Sequence, residues 1–382
     1  MDGDFSNKKS FFAKKHNRVR AVYALIFSIF VVLALVFRSL GYKLFKNLYS
    51  FDSCQEFEGD ELNSCVGIHM VFRISFVLFI FFFIQMLILI GYRGNDSADF
   101  RSTVQNGWWL PKIIFIVGLF IGSIFIPNST FLVWGRISQI LSGVFLLLQI
   151  IYLIGWIHDL SDKLTERDMF KTLLLFTVIL YGIGTTMIIL SFVYFTGSKC
   201  VLNIVFCVIT IVLMVIYSAM SLKVETGSIF ESGMAFAYCC YLLMAALASQ
   251  QSTDCNPFSL QNASTLQIIP GILIAVIVIN YSTFNLSGHS NAFRLKDNDD
   301  EDLGLQGQAP YSYSFFHFVY AMASLYLAML ITGWNLELTS TSKSVDTGAI
   351  SMYVKLIIQW VVALLYGWSV IAPAIFSDRD FN

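Results

Sequence analysis

Apolar runs of membrane-spanning length, separated by short polar breaks, recur along nearly the whole chain. A bilayer core about 30 Å thick needs roughly 20 apolar residues in a helix. Runs that meet or approach this length lie at 19–37, 68–90, 110–126, 131–157, 172–195, 201–221, 230–249, 266–281, 312–333 and 353–376. The pattern predicts an all-α, polytopic membrane protein with about ten transmembrane helices. The shortest run, 266–281, contains Pro270; without it the termini fall on opposite sides. The expected organisation is a basic N-terminal segment, 1–18, followed by one membrane domain over 19–382.

The fourth run stands out. Nothing breaks its helical pattern from Phe131 to Asp159, and at about 1.5 Å per residue that exceeds 40 Å. Such a helix must tilt, kink or project beyond the hydrocarbon. Gly135, Ser138 and Ser142 give it a small-residue stripe suited to close helix contact, whereas Arg136, Gln139 and Gln149 do not share one strict face.

Composition sharpens the class. Hydrophobic residues make up 57% of the 382 and charged residues 13%, about half the share usual for soluble domains. Mean hydropathy is +0.70. A net charge of −1 gives no footprint for nucleic acid. Lys8, Lys9, Lys14, Lys15, Arg18 and Arg20 precede the first run and place the N-terminus in the cytosol. With ten spans, 16 basic residues fall on the cytosolic side and 7 on the other, which puts both termini inside. No small-residue cleavage site follows the first run, so it does not read as a signal peptide.

That topology organises the cysteines. Cys54 and Cys65 flank QEFEGDELNS in the first outer loop, and Cys200 and Cys255 lie in later loops on the same side. Disulfides Cys54–Cys65 and Cys200–Cys255 are expected in an oxidising compartment, the second from sidedness alone. Cys207, Cys239 and Cys240 fall within spans and read as small apolar residues. The ten-residue gap between Cys54 and Cys65 lacks the close pairs of a zinc site, so neither metal nor cofactor is expected. Sequons at Asn128 and Asn262 lie on the outer face, with Asn262 the better placed for glycosylation; those at Asn280 and Asn285 fall at the cytosolic end of the eighth span. The stretch 282–311, with its DNDDED core, reads as a disordered acidic cytosolic loop.

Ionisable residues inside spans are functional hypotheses by default. They are few: Arg73, Arg136, His317 and Lys355, with His158 and Asp159 at a helix end. No Asp or Glu sits in the middle of a span, which argues against ion-coupled transport, and no hydrolase, P-loop or metalloprotease motif is present. The chain is not expected to be an enzyme. In the ninth run Tyr313, His317, Tyr320 and Ser324 share one helical face, and the tenth carries Lys355, Gln359, Tyr366 and Ser369. Two readings stand: polar contacts between helices, or a track for lipid headgroups. On the second, Tyr313, His317, Tyr320, Ser324 and Gln359 line the path, and Arg73 or Lys355 attracts phosphate at its outer end.

Several stretches carry a family resemblance: RSTVQNGWWLPK (101–112), PYSYSFFHFVYAMASLYLAMLITGW (310–334), WSVIAPAIFSDRDF (368–381), VFRISF (71–76) after the Cys54–Cys65 loop, and DCNP (254–257). In order and content they resemble the serine incorporator (Serinc) family. The resemblance implies two bundles joined by a long, tilted fourth helix. It also implies association with phosphatidylserine and sphingolipids, and ATP-independent phospholipid scrambling in an endoplasmic reticulum, endosomal or plasma membrane. Expected partners are phospholipids and sphingolipids, with serine, lipid-synthesising enzymes or a second copy of the chain as further candidates. A serine carrier or a scaffold presenting serine to such enzymes is the alternative. The basic N-terminus replaces the cysteine-rich stretch of animal members, and the loop before YSYSFFHF is short, so functions held there are not implied.

Overall fold

The computed structural model describes residues 2–45, 49–56, 58–92, 99–197, 199–223, 228–250, 254–257, 312–332, 334, 336 and 347–375. Among these, every regular element is helical. The helices are α1 (Asp2–Phe45), α2 (Gly59–Ile88), α3 (Phe100–Asn106), α4 (Trp109–Ile124), α5 (Asn128–Glu166), α6 (Phe170–Phe195), α7 (Val201–Ser221), α8 (Ile229–Leu247), α9 (Tyr313–Thr332) and α10 (Thr347–Ile375). A 3-10 turn, Tyr49–Cys54, precedes α2. Among the described residues, seven helices are long and apolar enough to cross a membrane, or eight if the bent pair α3–α4 counts as one span. α10 adds an apolar core at Met352–Trp368. The eighth expected span, the acidic loop, and Asn262, Asn280 and Asn285 lie outside the described residues.

The long fourth span is α5, and its 39 residues run about 58 Å, further than its apolar pattern predicted. The third expected span, 110–126, is α4, and the feature the pattern did not announce is the short α3 set at 72° before its 16 residues. The break has local causes. Asp99 caps α3 by accepting from the Arg101 amide at 2.9 Å. Gly107 leaves the helical region, and Trp108 takes a left-handed conformation (φ 54°) that turns the chain. Pro111 then sits in the first turn of α4, where a missing N–H costs nothing.

The single membrane domain expected over 19–382 divides into two compact units, and the boundary within α5 falls between Phe145 and Leu146. The first unit contains α1–α4, the N-terminal part of α5, and α9. α9 is its centre: all but a few of its side chains are buried, including Tyr313, His317, Tyr320 and Ser324. α1 and α2 approach so closely that a Cβ on Gly67 would lie 2.4 Å from the Arg38 carbonyl oxygen. Only glycine permits that approach.

The second unit contains the rest of α5, α6–α8 and α10. Gly184 on α6 and Gly233 on α8 let these two helices pack against Phe236 and Tyr181. A hydroxyl triangle adds polar contacts: Tyr181 Oη lies 2.7 Å from Ser218 Oγ and 3.1 Å from Ser232 Oγ. The outer faces of α6 and α7 expose Leu174, Val178, Val193, Val201 and Val215. Such continuous apolar surface suits lipid contact.

Both expected disulfides are present, Cys54–Cys65 in the first unit and Cys200–Cys255 in the second. Cys207, Cys239 and Cys240 are free and buried.

Candidate functional site

The described part of the α9 polar stripe has helix neighbours rather than an open surface. Tyr313 stacks on Tyr92 with centroids 5.8 Å apart. Tyr320 packs between Phe27 and Phe82 at 5.3 and 4.9 Å. Ser324 Oγ donates to its own helix at Ala321 O, 2.7 Å away. His317 faces something different. Its Nε2 lies 2.8 Å from Gln105 Oε1, and its ring meets Tyr23 edge-on at 4.8 Å.

These contacts open onto a cluster built from three helices. Lys112, one turn into α4 and buried, donates from Nζ to Tyr23 Oη at 2.8 Å and to Gly107 O at 2.8 Å. Tyr23 in turn donates to the Gln105 carbonyl at 3.2 Å. Trp109 lies under the ammonium, 4.4 Å from it to the ring centroid. The α3–α4 break makes this possible. It turns Gln105 inward at the end of one helix and Lys112 inward at the start of the next.

The cluster has unspent hydrogen-bonding capacity. Among the described residues no carboxylate pairs with Lys112, although an unpaired buried charge costs several kcal/mol. An ammonium has three donors, and two are used here. Gln105 Nε2 is buried without a partner, as is His317 Nδ1. With Gln105 Oε1 accepting from Nε2–H of His317, Nδ1 is the lone-pair nitrogen. Lys112 and Gln105 thus present donors to a buried acceptor, next to the N-terminus of α4, whose free amides favour negative charge.

The remaining expected residues sit elsewhere. Arg73 is fully buried and each of its three nitrogens donates: Nε to Ser123 O (3.1 Å), Nη1 to His69 O (3.2 Å) and Nη2 to Ile126 O (2.8 Å). Phe51 and Phe131 stack on the guanidinium at 4.2 and 4.4 Å. It caps the carbonyl end of α4, the end next to Asn128. Lys355, in the second unit, donates to Ala245 O and Ser249 Oγ and lies over Trp334. Gln359 Nε2 donates to Thr210 Oγ1 at 2.7 Å. Both side chains are buried. Asn128, expected as a glycan acceptor, is also buried, its Nδ2 donating to Ser53 Oγ at 2.9 Å. A sugar on that nitrogen would displace this contact.

Sequence reasoning missed Lys112, Gln105 and Tyr23. Lys112 counted only as a basic residue at the cytosolic end of a span, and Tyr23 as part of an apolar run. The signal that pointed there was the motif itself: RSTVQNGWWLPK holds Gln105, Trp109 and Lys112, and YSYSFFHF holds His317. Two stretches some two hundred residues apart in the chain meet at one hydrogen bond.

The family pattern described as serine incorporator (Serinc) matches residues 5–309 and 296–379. A probable serine incorporator from Nematostella vectensis is 29% identical over 426 residues, covering 97% of this chain and 92% of the relative. Serine incorporator 3 of Mus musculus is 28% identical over 385 residues, covering 83% and 80%. A probable serine incorporator from Dictyostelium discoideum is 28% identical over 410 residues, covering 97% and 96%. With its multi-pass helical fold, its two disulfides and a family match from end to end, this chain belongs to the serine incorporator family.

Proposed function

We propose that this chain binds phospholipids and moves them between leaflets without ATP, and thereby supports phosphatidylserine and sphingolipid synthesis. The observation that carries this reading is Lys112, a buried cation without a described carboxylate partner, beside the unpartnered Gln105 Nε2 at a helix break. A headgroup phosphate supplies the missing anion and accepts from both donors. His317 holds Gln105 in place, and the Tyr23 and Trp109 rings give the glycerol end an amphipathic wall.

The described conformation is the closed one. Tyr313, His317, Tyr320 and Ser324 continue the polar line along α9, and all are buried. A headgroup needs polar partners throughout its passage. Translocation on this reading requires α9 to part from α1 along Tyr23 and Phe27, exposing the stripe. Arg73, Lys355 and Gln359 are assigned to helix packing. The proposal includes no covalent chemistry, and it keeps both termini cytosolic in an endoplasmic reticulum, endosomal or plasma membrane.

A second reading draws on the other unit. Gln149 is fully buried with neither amide atom bonded, and the Tyr152 hydroxyl, one turn on, is also without a partner. A small zwitterion such as serine would satisfy them, which favours a serine carrier. Purified protein in vesicles containing fluorescent phospholipid separates the two. A membrane-impermeant quencher that bleaches both leaflets supports translocation; bleaching confined to the outer half contradicts it. Saturable uptake of labelled serine without lipid translocation establishes the second reading.

A further inference from the structure

Away from the Lys112 cluster, Cys54, Cys65 and His69 offer one ligand atom each, all within 4.8 Å of one another. Cys65 and His69 are one turn apart on α2, the spacing that puts two ligands on the same helix face. Cys54 comes from the 3-10 turn preceding α2. His69 is buried, and its Nδ1 has no partner. Asn128 reaches the same point: its Nδ2 lies 3.7 Å from Cys54 Sγ, and its Oδ1 is buried and unpartnered. Phe51, Val66 and Met70 surround the group and keep it dry.

We infer that reduction of the Cys54–Cys65 disulfide converts this cluster into a site for a thiophilic d10 cation, with Zn²⁺ as the reference ion. Two thiolates and an imidazole form a donor set that Zn²⁺ takes tetrahedrally, and Asn128 offers Oδ1 at the fourth position once its amide turns over and releases Ser53. The chemistry balances with a dithiol as the reductant. Two electrons and two protons pass from the dithiol to the two sulfurs, the S–S bond breaks, and the reductant becomes a disulfide. Zn²⁺ then displaces one proton from each thiol and forms two Zn–S bonds, while neutral His69 donates a ring lone pair. Arg73, whose Nη1 bonds the His69 carbonyl, adds a positive charge that favours the thiolates. The disulfide and the metal exclude each other, and each clamps the start of α2 to the preceding turn. The cysteine spacing hid this possibility, because His69 joins the pair only through the helical register.

The test uses the full chain in nanodiscs, anaerobically, before and after treatment with a dithiol reductant that is then removed. Bound Zn²⁺ is counted by elemental mass spectrometry. One Zn²⁺ per reduced chain and none per oxidised chain is the expected result. His69→Gln keeps both disulfides and is expected to weaken Zn²⁺ binding by at least about tenfold. His69→Cys supplies a third thiolate and is expected to restore it. No Zn²⁺ bound by the reduced wild type overturns the proposal, as does wild-type affinity in His69→Gln, which would place the ion at Cys200 and Cys255. Loss of binding in both His69 variants overturns it too, because it points to a distorted fold.

Discussion

Replacing Arg73 by Met tests whether this residue locks the first unit or serves lipid. The guanidinium donates to the Ser123 and Ile126 carbonyls at the end of α4; Ser123 O also accepts from the Ile126 amide at 3.3 Å, so Ile126 O is the carbonyl that depends on Arg73. The His69 carbonyl has an alternative, since the residue 73 amide lies four positions on in the same helix. One buried carbonyl left unsatisfied costs about 1–3 kcal/mol. Loss of the stacked Phe51 and Phe131 faces costs about 0.5–2 kcal/mol each. Against this, a buried cation is removed, and its desolvation penalty of several kcal/mol disappears. The net expectation is a loss of about 1–3 kcal/mol. At about 2–4 °C per kcal/mol for units of this size, Tm should fall roughly 2–12 °C. Tryptophan fluorescence of the protein in nanodiscs during a thermal ramp reads this. Arg73→Lys should recover little, because one ammonium cannot reach both carbonyls and fill the slot between two rings. An unchanged Tm in Arg73→Met, with lipid translocation lost, would refute the structural role and return Arg73 to the lipid path.

Other outcomes follow from close contacts. Gly67→Ala places a methyl 2.4 Å from the Arg38 carbonyl, so α1 and α2 must separate; reduced yield of folded protein in size-exclusion chromatography is expected, and wild-type yield would contradict the contact. Gln359→Leu removes the bond that Thr210 Oγ1 accepts while its own bond to Phe206 O remains, and is expected to cost about 1 kcal/mol, read as a shift in the denaturation midpoint. Peptide mass spectrometry of protein expressed in a glycosylating host should find Asn128 without a glycan, because its amide nitrogen is bonded to Ser53.

How much the sequence disclosed varies with the physics of each feature. The continuity of α5 was legible because no proline or glycine pair interrupts it, although its charged end runs past the apolar pattern, and the disulfide pairs because the apolar runs sort loops by side. The α3–α4 break was not, since its cause is one left-handed tryptophan that no periodicity marks. The helical register correctly grouped Tyr313, His317, Tyr320 and Ser324 on one face. It did not say what they face, because in a membrane both the lipid side and the protein side of a helix are apolar. Buried partners decided that: His317 meets Gln105, and Tyr320 meets Phe27 and Phe82. Lys112 escaped notice because a lysine at a span end ordinarily reaches water, and here a bent helix directs it inward.

The most direct test of the central claim is the initial rate of phospholipid translocation in vesicles carrying Lys112→Met at wild-type density, with folding checked by Tm. A rate lowered at least about tenfold is expected, the equivalent of about 1.4 kcal/mol of lost headgroup stabilisation, with Tm near that of the wild type. A wild-type rate in Lys112→Met would contradict it.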